Sequence, residues 1–314
     1  MVIDLISLLV RTNFAVALAI AGVLILRRPV RHLFGPRRAY GIWLVAPLSV
    51  FGCLMPAARG AGPKSLLEAS GQQVLNWMSK APDIDGTLLT IWLSGVGLGV
   101  AMVAYRHSRF KADAEAGCAG PAVVGLLRPR LIIPADFNVL FTPGARVLVR
   151  AHERAHMDRG DALWNSVLVI FQCLFWFNPL VHTAAKALKL DQELACDAVV
   201  VERFPSERRA YAEALLKAQW RGSGSPLACH WGATSDHPLV LRLAALANRS
   251  CSAGRDGFWF AFLLTAWVGA FTAGWACQPS DRTLYRQPVQ YFDYTKLQPP
   301  LASKAVWRIA IAPN

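Results

Sequence analysis

Long apolar runs set between basic blocks organise the chain. The first, Leu5 to Leu26, contains Arg11 as its only charged residue; about twenty such residues suffice for a helix to cross a hydrocarbon core. Arg27, Arg28, Arg31, Arg37 and Arg38 follow it. A cleaved signal peptide would carry its positive charge ahead of the apolar region, so the pattern predicts a retained span with the N-terminus external and the arginines cytoplasmic. A second run, Tyr40 to Pro56, returns outward to a Gly/Pro/Ser-containing external loop at 57–87. A third span, Leu88 to Tyr105, exits into Arg106, His107, Arg109 and Lys111, back on the cytoplasmic side. Phe258 to Ala276 is the last predicted span and places a tail, 277–314, outside.

Between them, 106–257 reads as a folded cytoplasmic domain. Gly120 to Pro134 holds two short β-type runs punctuated by Gly and Pro, the pattern of a small hairpin or sheet; the strand near Val123 to Leu127 is a candidate edge for an extended substrate. Arg146 to Asp158 reads as a helix behind a Thr142 cap and Pro143 in the first turn. The segment 162–180 is apolar enough to span, but crossing would put Lys186, Lys189, Arg203, Arg208, Arg209 and the basic residues after them outside, against the usual bias. It is therefore expected to be buried against the domain or to dip into the membrane without crossing. The fold class is mainly α: a polytopic membrane protein of about four transmembrane helices, with a cytoplasmic domain containing a small β element.

Composition supports this picture. Mean hydropathy is +0.33, and hydrophobic residues make up 54% against 17% charged, more apolar material than a soluble core of this size needs. The net charge of +13 lies in blocks beside the apolar runs, so it reads as topology and no direct nucleic-acid binding is expected. Seven cysteines form no CxxC pair and are read as unpaired thiols.

The candidate chemistry lies in two short motifs. His152-Glu153-Arg154-Ala155-His156 is an HExxH: on a helix the two histidines share a face and one cation, and Glu153 between them is the candidate general base. A catalytic zinc site needs a third protein ligand and an open position. Asp191-Gln192-Glu193-Leu194-Ala195-Cys196-Asp197 supplies it, with Glu193 as ligand and Asp197, one turn on, orienting a ligating histidine. Zn2+ is the expected cofactor. A further oxyanion donor is unassigned among His182, His230 and His237, each of which also reads as an ordinary structural or surface residue. The basic helix from Arg203 to Arg221 reads as a solvated face or as a lipid-headgroup contact.

These motifs, with Phe175-Trp176-Phe177-Asn178-Pro179 and Gly125-Leu126-Leu127-Arg128-Pro129-Arg130, resemble the gluzincins, and more closely the BlaR/MecR-type membrane peptidases, metallopeptidase family 56. The resemblance covers roughly 1–276. It implies a gluzincin-like peptidase domain facing the cytoplasm of a bacterial inner membrane, acting on a protein or peptide such as a transcriptional repressor, or on itself, in signal transduction. Well-known family members carry an external penicillin-binding domain with a Ser-x-x-Lys nucleophile; none occurs in 277–314, so no β-lactam sensor is expected in this chain. A housekeeping membrane protease and a catalytically silent zinc-binding scaffold are the alternatives. Neither substrate, inducing signal nor oligomeric state is legible.

Overall fold

A computed structural model describes residues 2–55, 84–125, 130–219, 229–230, 236–247 and 256–276. Most of the 57–87 loop and the whole 277–314 tail lie outside the described residues. Helix α1 (Val2–Phe34) runs eight residues past the end of the first apolar run, through Pro29. It stops where Gly35 takes a positive φ of 82°, and Pro36 opens a short helix α2 (Pro36–Ala39). A 3-10 turn, Tyr40–Leu44, leads into α3 (Val45–Leu54).

Among the described residues, three helices are long and apolar enough to cross a membrane: Leu5–Phe34, Gly86–Glu115 within α4 (Ile84–Glu115), and Gly257–Ala276 within the last helix. The second apolar run differs from the other three. Gly35 and Pro36 reset the helix axis, and the run divides into the 3-10 turn and ten-residue α3, which packs between α1 and the last helix. That last packing is close: a Cβ added at Gly52 would run into the Phe271 carbonyl, and one at Gly274 into the Ser49 carbonyl. Small residues let backbones approach in this way, which is how helices gain dispersion contacts in lipid.

The site region begins with β1 (Ala122–Val124) and β2 (Arg130–Ile132), the antiparallel hairpin legible in the sequence. A third strand, β3 (Cys229–His230), pairs on the other side of β1, giving the order β2-β1-β3. At Val123 the expected substrate edge is corrected by this, since β1 has partners on both sides there; Leu126 and Leu127 lie outside the described residues. With only two residues, β3 carries no pattern that a sequence could reveal. Next come α5 (Phe137–Leu140), α6 (Pro143–Arg159), α7 (Asp161–Leu174), α8 (Pro179–Arg203), a 3-10 turn (Pro205–Glu207), α9 (Arg208–Gln219), α10 (Asp236–Ala247) and α11 (Asp256–Ala276).

The 162–180 run is not one helix. Helix α7 ends at Leu174, and Asn178 caps a new helix, its side chain accepting from the Leu180 amide ahead of which Pro179 fills the first turn. Fourteen residues make about 21 Å of helix, less than the roughly 30 Å hydrocarbon core. One face of α7, including Ala162, Leu168 and Val169, is buried, while Leu163 and Ile170 are exposed. Helix α4 lies against its C-terminal end, where Trp92 Nε1 donates to the Leu174 carbonyl at 2.8 Å and the Trp176 indole occupies the space beside Gly95.

Two cores result. One joins α1, the Tyr40–Leu44 turn, α7, α8 and α11, with Val16, Ile20, Val23, Trp43, Val181 and Leu188 buried in it. The other joins α5, α6, α8, α9 and α10 around Phe137, Phe141, Val149, Val200, Tyr211 and Leu215. Helix α8 serves both. The basic helix α9 buries Tyr211, Ala214, Leu215 and Ala218 and leaves Arg209 exposed. The described cysteine side chains at 53, 118, 173 and 196 form no disulfide.

Candidate metal centre

Helix α6 carries the HExxH motif on its buried face. Thr142 caps it by accepting from the Ala145 amide, Pro143 occupies its first turn, and Gly160 ends it in the left-handed region at φ 67°. A side chain there would be strained, which is why glycine suits the position. The reversal at Gly160 starts α7 immediately and brings Asp161 back against the helix it has just left. His152, Glu153, His156 and Asp161 are all buried.

Glu193 approaches from α8. His152 Nε2 lies 3.3 Å from Glu193 Oε2 and His156 Nε2 lies 3.6 Å from Glu193 Oε1, while the two Nε2 atoms are 3.2 Å apart. Three tetrahedral ligands at about 2.0–2.1 Å from a zinc ion would be about 3.3 Å from one another. The expected ligands His152, His156 and Glu193 are therefore brought together at separations that suit one small cation. Both oxygens of Glu153 are buried and have no hydrogen-bond partner among the described residues. A buried carboxylate is costly unless something polar faces it, and a cation with its water is such a group. The donor set fits a metal.

The remaining histidine nitrogens are all engaged. Tyr211 Oη donates to Asp197 Oδ1 at 2.6 Å and stands 2.7 Å from His152 Nδ1, so it is left to accept from an Nδ1–H. Asp161 Oδ2 stands 2.7 Å from His156 Nδ1. Both rings are thereby oriented with Nε2 inward, the usual way a carboxylate fixes a ligating imidazole. Asp197, expected to orient a histidine, is placed 3.3 Å from His152 Nδ1 and shares Tyr211 with it. His156, Asp161 and Cys196 form a further close group, but its histidine nitrogen is the one Asp161 already holds.

Arg242 closes the site from α10. Its guanidinium, 2% exposed, pairs with Asp197 through Nε at 2.8 Å and Nη2 at 2.7 Å, and with Glu193 Oε2 through Nη1 at 3.0 Å. Burial alone would push the Glu193 carboxyl up, but Arg242 and the two histidines lower it to about 2. Asp197 is lowered as well, burial again being outweighed by Arg242 and by hydrogen bonding. Glu153 goes the other way: burial raises it, more than the nearby histidines and Arg242 lower it. His152 loses by burial but gains more from Asp197 and Glu193, so its proton affinity is raised. Carboxylates in one site with opposed shifts are the pattern expected where one binds and another transfers protons.

Asp161, Tyr211 and Arg242 belong to neither sequence motif. Asp161 had a signal, an acidic residue directly after the Gly160 stop of the HExxH helix; Tyr211 and Arg242 had none, since only the packing of α9 and α10 brings them here. His182 is exposed and its Nε2 stands 2.9 Å from the Trp176 carbonyl, about 16 Å along α8 from Glu193 at 1.5 Å per residue. The side chains of His230 and His237 lie outside the described residues.

The chain is mainly α, has helices long and apolar enough to cross a membrane, and sets an HExxH helix against a glutamate-bearing helix. Residues 106–246 match the family model described as BlaR1 peptidase M56. Similar proteins are the regulatory protein BlaR1 of Bacillus licheniformis, 29% identical over 185 residues, and the methicillin resistance mecR1 protein of Staphylococcus aureus, 28% identical over 98 residues. The first alignment covers 56% of this chain and 30% of that relative, the second 31% and 17%. Over the matched segment the chain is similar to the peptidase domain of BlaR/MecR-type proteins; it spans less than a third of the length of these relatives.

Proposed function

We propose that this protein is a zinc-dependent endopeptidase of the bacterial inner membrane that cleaves a cytoplasmic regulator, such as a transcriptional repressor, or itself, in response to a signal. The observation that carries the reading is the buried Glu153 carboxylate, without a hydrogen-bond partner among the described residues, beside the converging His152, His156 and Glu193 atoms. A structural metal site would be closed and would need no such base. Zinc held by these three residues would supply a Lewis acid that polarises a carbonyl and acidifies water.

The chain's own residues do the rest. Glu153, its proton affinity raised by burial, takes a proton from the attacking water and returns it to the leaving amine. Tyr211 with Asp197, and Asp161, hold the imidazoles so that their Nε2 lone pairs face inward. Arg242 keeps Glu193 ionised and fixes its direction. The basic blocks beside α1 and α4 support a cytoplasmic domain over 106–257, with the N-terminus and the 277–314 tail external.

The test is zinc content and cleavage of itself or a co-expressed repressor by the detergent-purified protein. Zinc in the wild type and Glu153→Gln but lost from Glu193→Ala, with cleavage by the wild type alone, is expected. Full zinc in Glu193→Ala would overturn the ligand set, and loss of zinc from Glu153→Gln would give Glu153 a structural role instead.

A further inference from the structure

Three consecutive residues of α8 face two different parts of the molecule. Glu193 points to the metal centre, whereas Asp191 and Gln192, 6% and 2% exposed, point to the N-terminal helices. Asp191 Oδ2 accepts from Trp43 Nε1 at 3.0 Å and from Arg27 Nη1 at 3.3 Å, and its Oδ1 accepts from Arg31 Nη1 at 3.1 Å. Arg27 Nη1 also donates to the Ala187 carbonyl, one turn earlier on α8, at 2.9 Å. Gln192 Nε2 donates to Tyr40 Oη at 3.1 Å. The Tyr40 ring lies under the Arg159 guanidinium, 4.4 Å from ring centroid to Cζ, and Arg159 in turn donates to the Gln192 carbonyl at 3.2 Å. Arg159 ends the HExxH helix, so the same cluster touches both halves of the site.

From this geometry we infer that Tyr40, Trp43 and Asp191 are positioning residues for the metal centre, through which the N-terminal helix α1 and the Tyr40–Leu44 turn set the rotation of α8 and hence the place of Glu193. Rotating a helix by 10° carries a side-chain tip about 5–6 Å from its axis through about 1 Å. A shift of that size is enough to spoil a metal site or a reaction geometry. Such a rotation would first have to break the bonds at Asp191 and Gln192. Movement of α1, a candidate membrane span, would thus reach the site without any residue of α1 touching it. The inference rests on the zinc-peptidase reading.

The experiment uses the full chain in detergent, loaded with Zn2+ or with Co2+ as an optical probe. Tyr40→Phe removes one hydroxyl and keeps the ring, and Trp43→Phe removes the indole N–H together with part of a buried ring; neither substitution touches a metal ligand. We expect each to weaken zinc binding, measured by chelator competition, about tenfold, the lower end for groups that orient ligands, and to alter the Co2+ absorption bands. Asp191→Asn should do more, and Asp191→Glu should recover part of the loss. Lowered thermal stability with unchanged zinc affinity and an unchanged Co2+ spectrum in both Phe variants would overturn the inference and leave the peptidase reading standing. Failure of the wild type to take up either metal would remove that reading and this one with it.

Discussion

Replacing Arg242 with Met separates the electrostatic frame of the site from its ligands. The guanidinium is buried between Glu193 and Asp197, and Met is apolar and of similar length, so little cavity is left and what is lost is charge. Glu193 sits at about 2 against an ordinary 4.5. At about 1.4 kcal/mol per pH unit, this amounts to about 3 kcal/mol in favour of the ionised carboxylate, to which Arg242 is the main favourable contributor after burial has acted against it. Removing one member of a buried pair costs roughly 3–5 kcal/mol in other proteins, which agrees. In the metal-free protein, Arg242→Met should therefore lower unfolding stability by about 3 kcal/mol at neutral pH. A divalent cation on His152, His156 and Glu193 would supply part of the missing charge, and without the neighbouring guanidinium's repulsion the variant should bind it more tightly than the wild type; the variant then gains more from zinc by mass action and the loss should shrink. The assay is denaturant unfolding of the detergent-solubilised chain, wild type and variant, with and without zinc. An equal loss in both conditions would refute the reasoning, since Arg242 and the metal would then act on different groups.

Three further outcomes follow from the same geometry. The depressed Glu193 carboxyl contributes stability that is complete above about 4.5, its unperturbed value, and is lost as pH falls towards about 2; metal-free wild type should lose stability through that window in acid titrations, and Arg242→Met should show a shallower loss. Tyr211→Phe removes the hydroxyl between His152 and Asp197 and should weaken zinc binding by about tenfold or more with Glu153 untouched, measured by chelator competition. Gly274→Val places side-chain atoms where α3 passes, against the Ser49 carbonyl, and should cost about 1–3 kcal/mol as overpacking does, seen as a lower thermal midpoint, whereas Gly257→Val, with nothing within 4 Å of a Cβ, should not.

What was legible in the sequence was what is local in the chain. HExxH places two nitrogens on one face by helix period alone, and Glu193 and Asp197 share a face for the same reason. The helix around 146–158 and the hairpin near 120–134 were marked by Thr142-Pro143 and by Gly and Pro. Hydropathy measures a run and not its continuity, so it merged α7 with the start of α8 across the Asn178 cap and read Tyr40 to Pro56 as equivalent to the other spans. In the sequence Arg27, Arg31 and Arg242 signal topology alone, because a basic residue there has a charge but no address. All three are inside the fold, the first two on Asp191 and the third on Glu193 and Asp197.

That difference bears on how α8 can exist. A 25-residue helix that buries Asp191 and Asp197, with Glu193 mostly buried between them, would be unstable alone, since each carboxylate must leave water. It is stable here because each meets donors from a separate element: Asp191 from α1 and the Tyr40–Leu44 turn, Glu193 and Asp197 from α10, and Asp197 also from Tyr211 on α9. Asn178 at its start donates to Asn13 Oδ1 on α1 at 2.8 Å, and Glu202 near its end pairs with Arg37 at 3.1 Å. The exposed Arg37 pair contributes little, as surface pairs do; the buried ones decide the register. Each carboxylate of α8 thus depends on a different neighbour, so displacing α1 or α10 would strip a buried acid of its charged donors, a loss that costs more than the bonds themselves contribute.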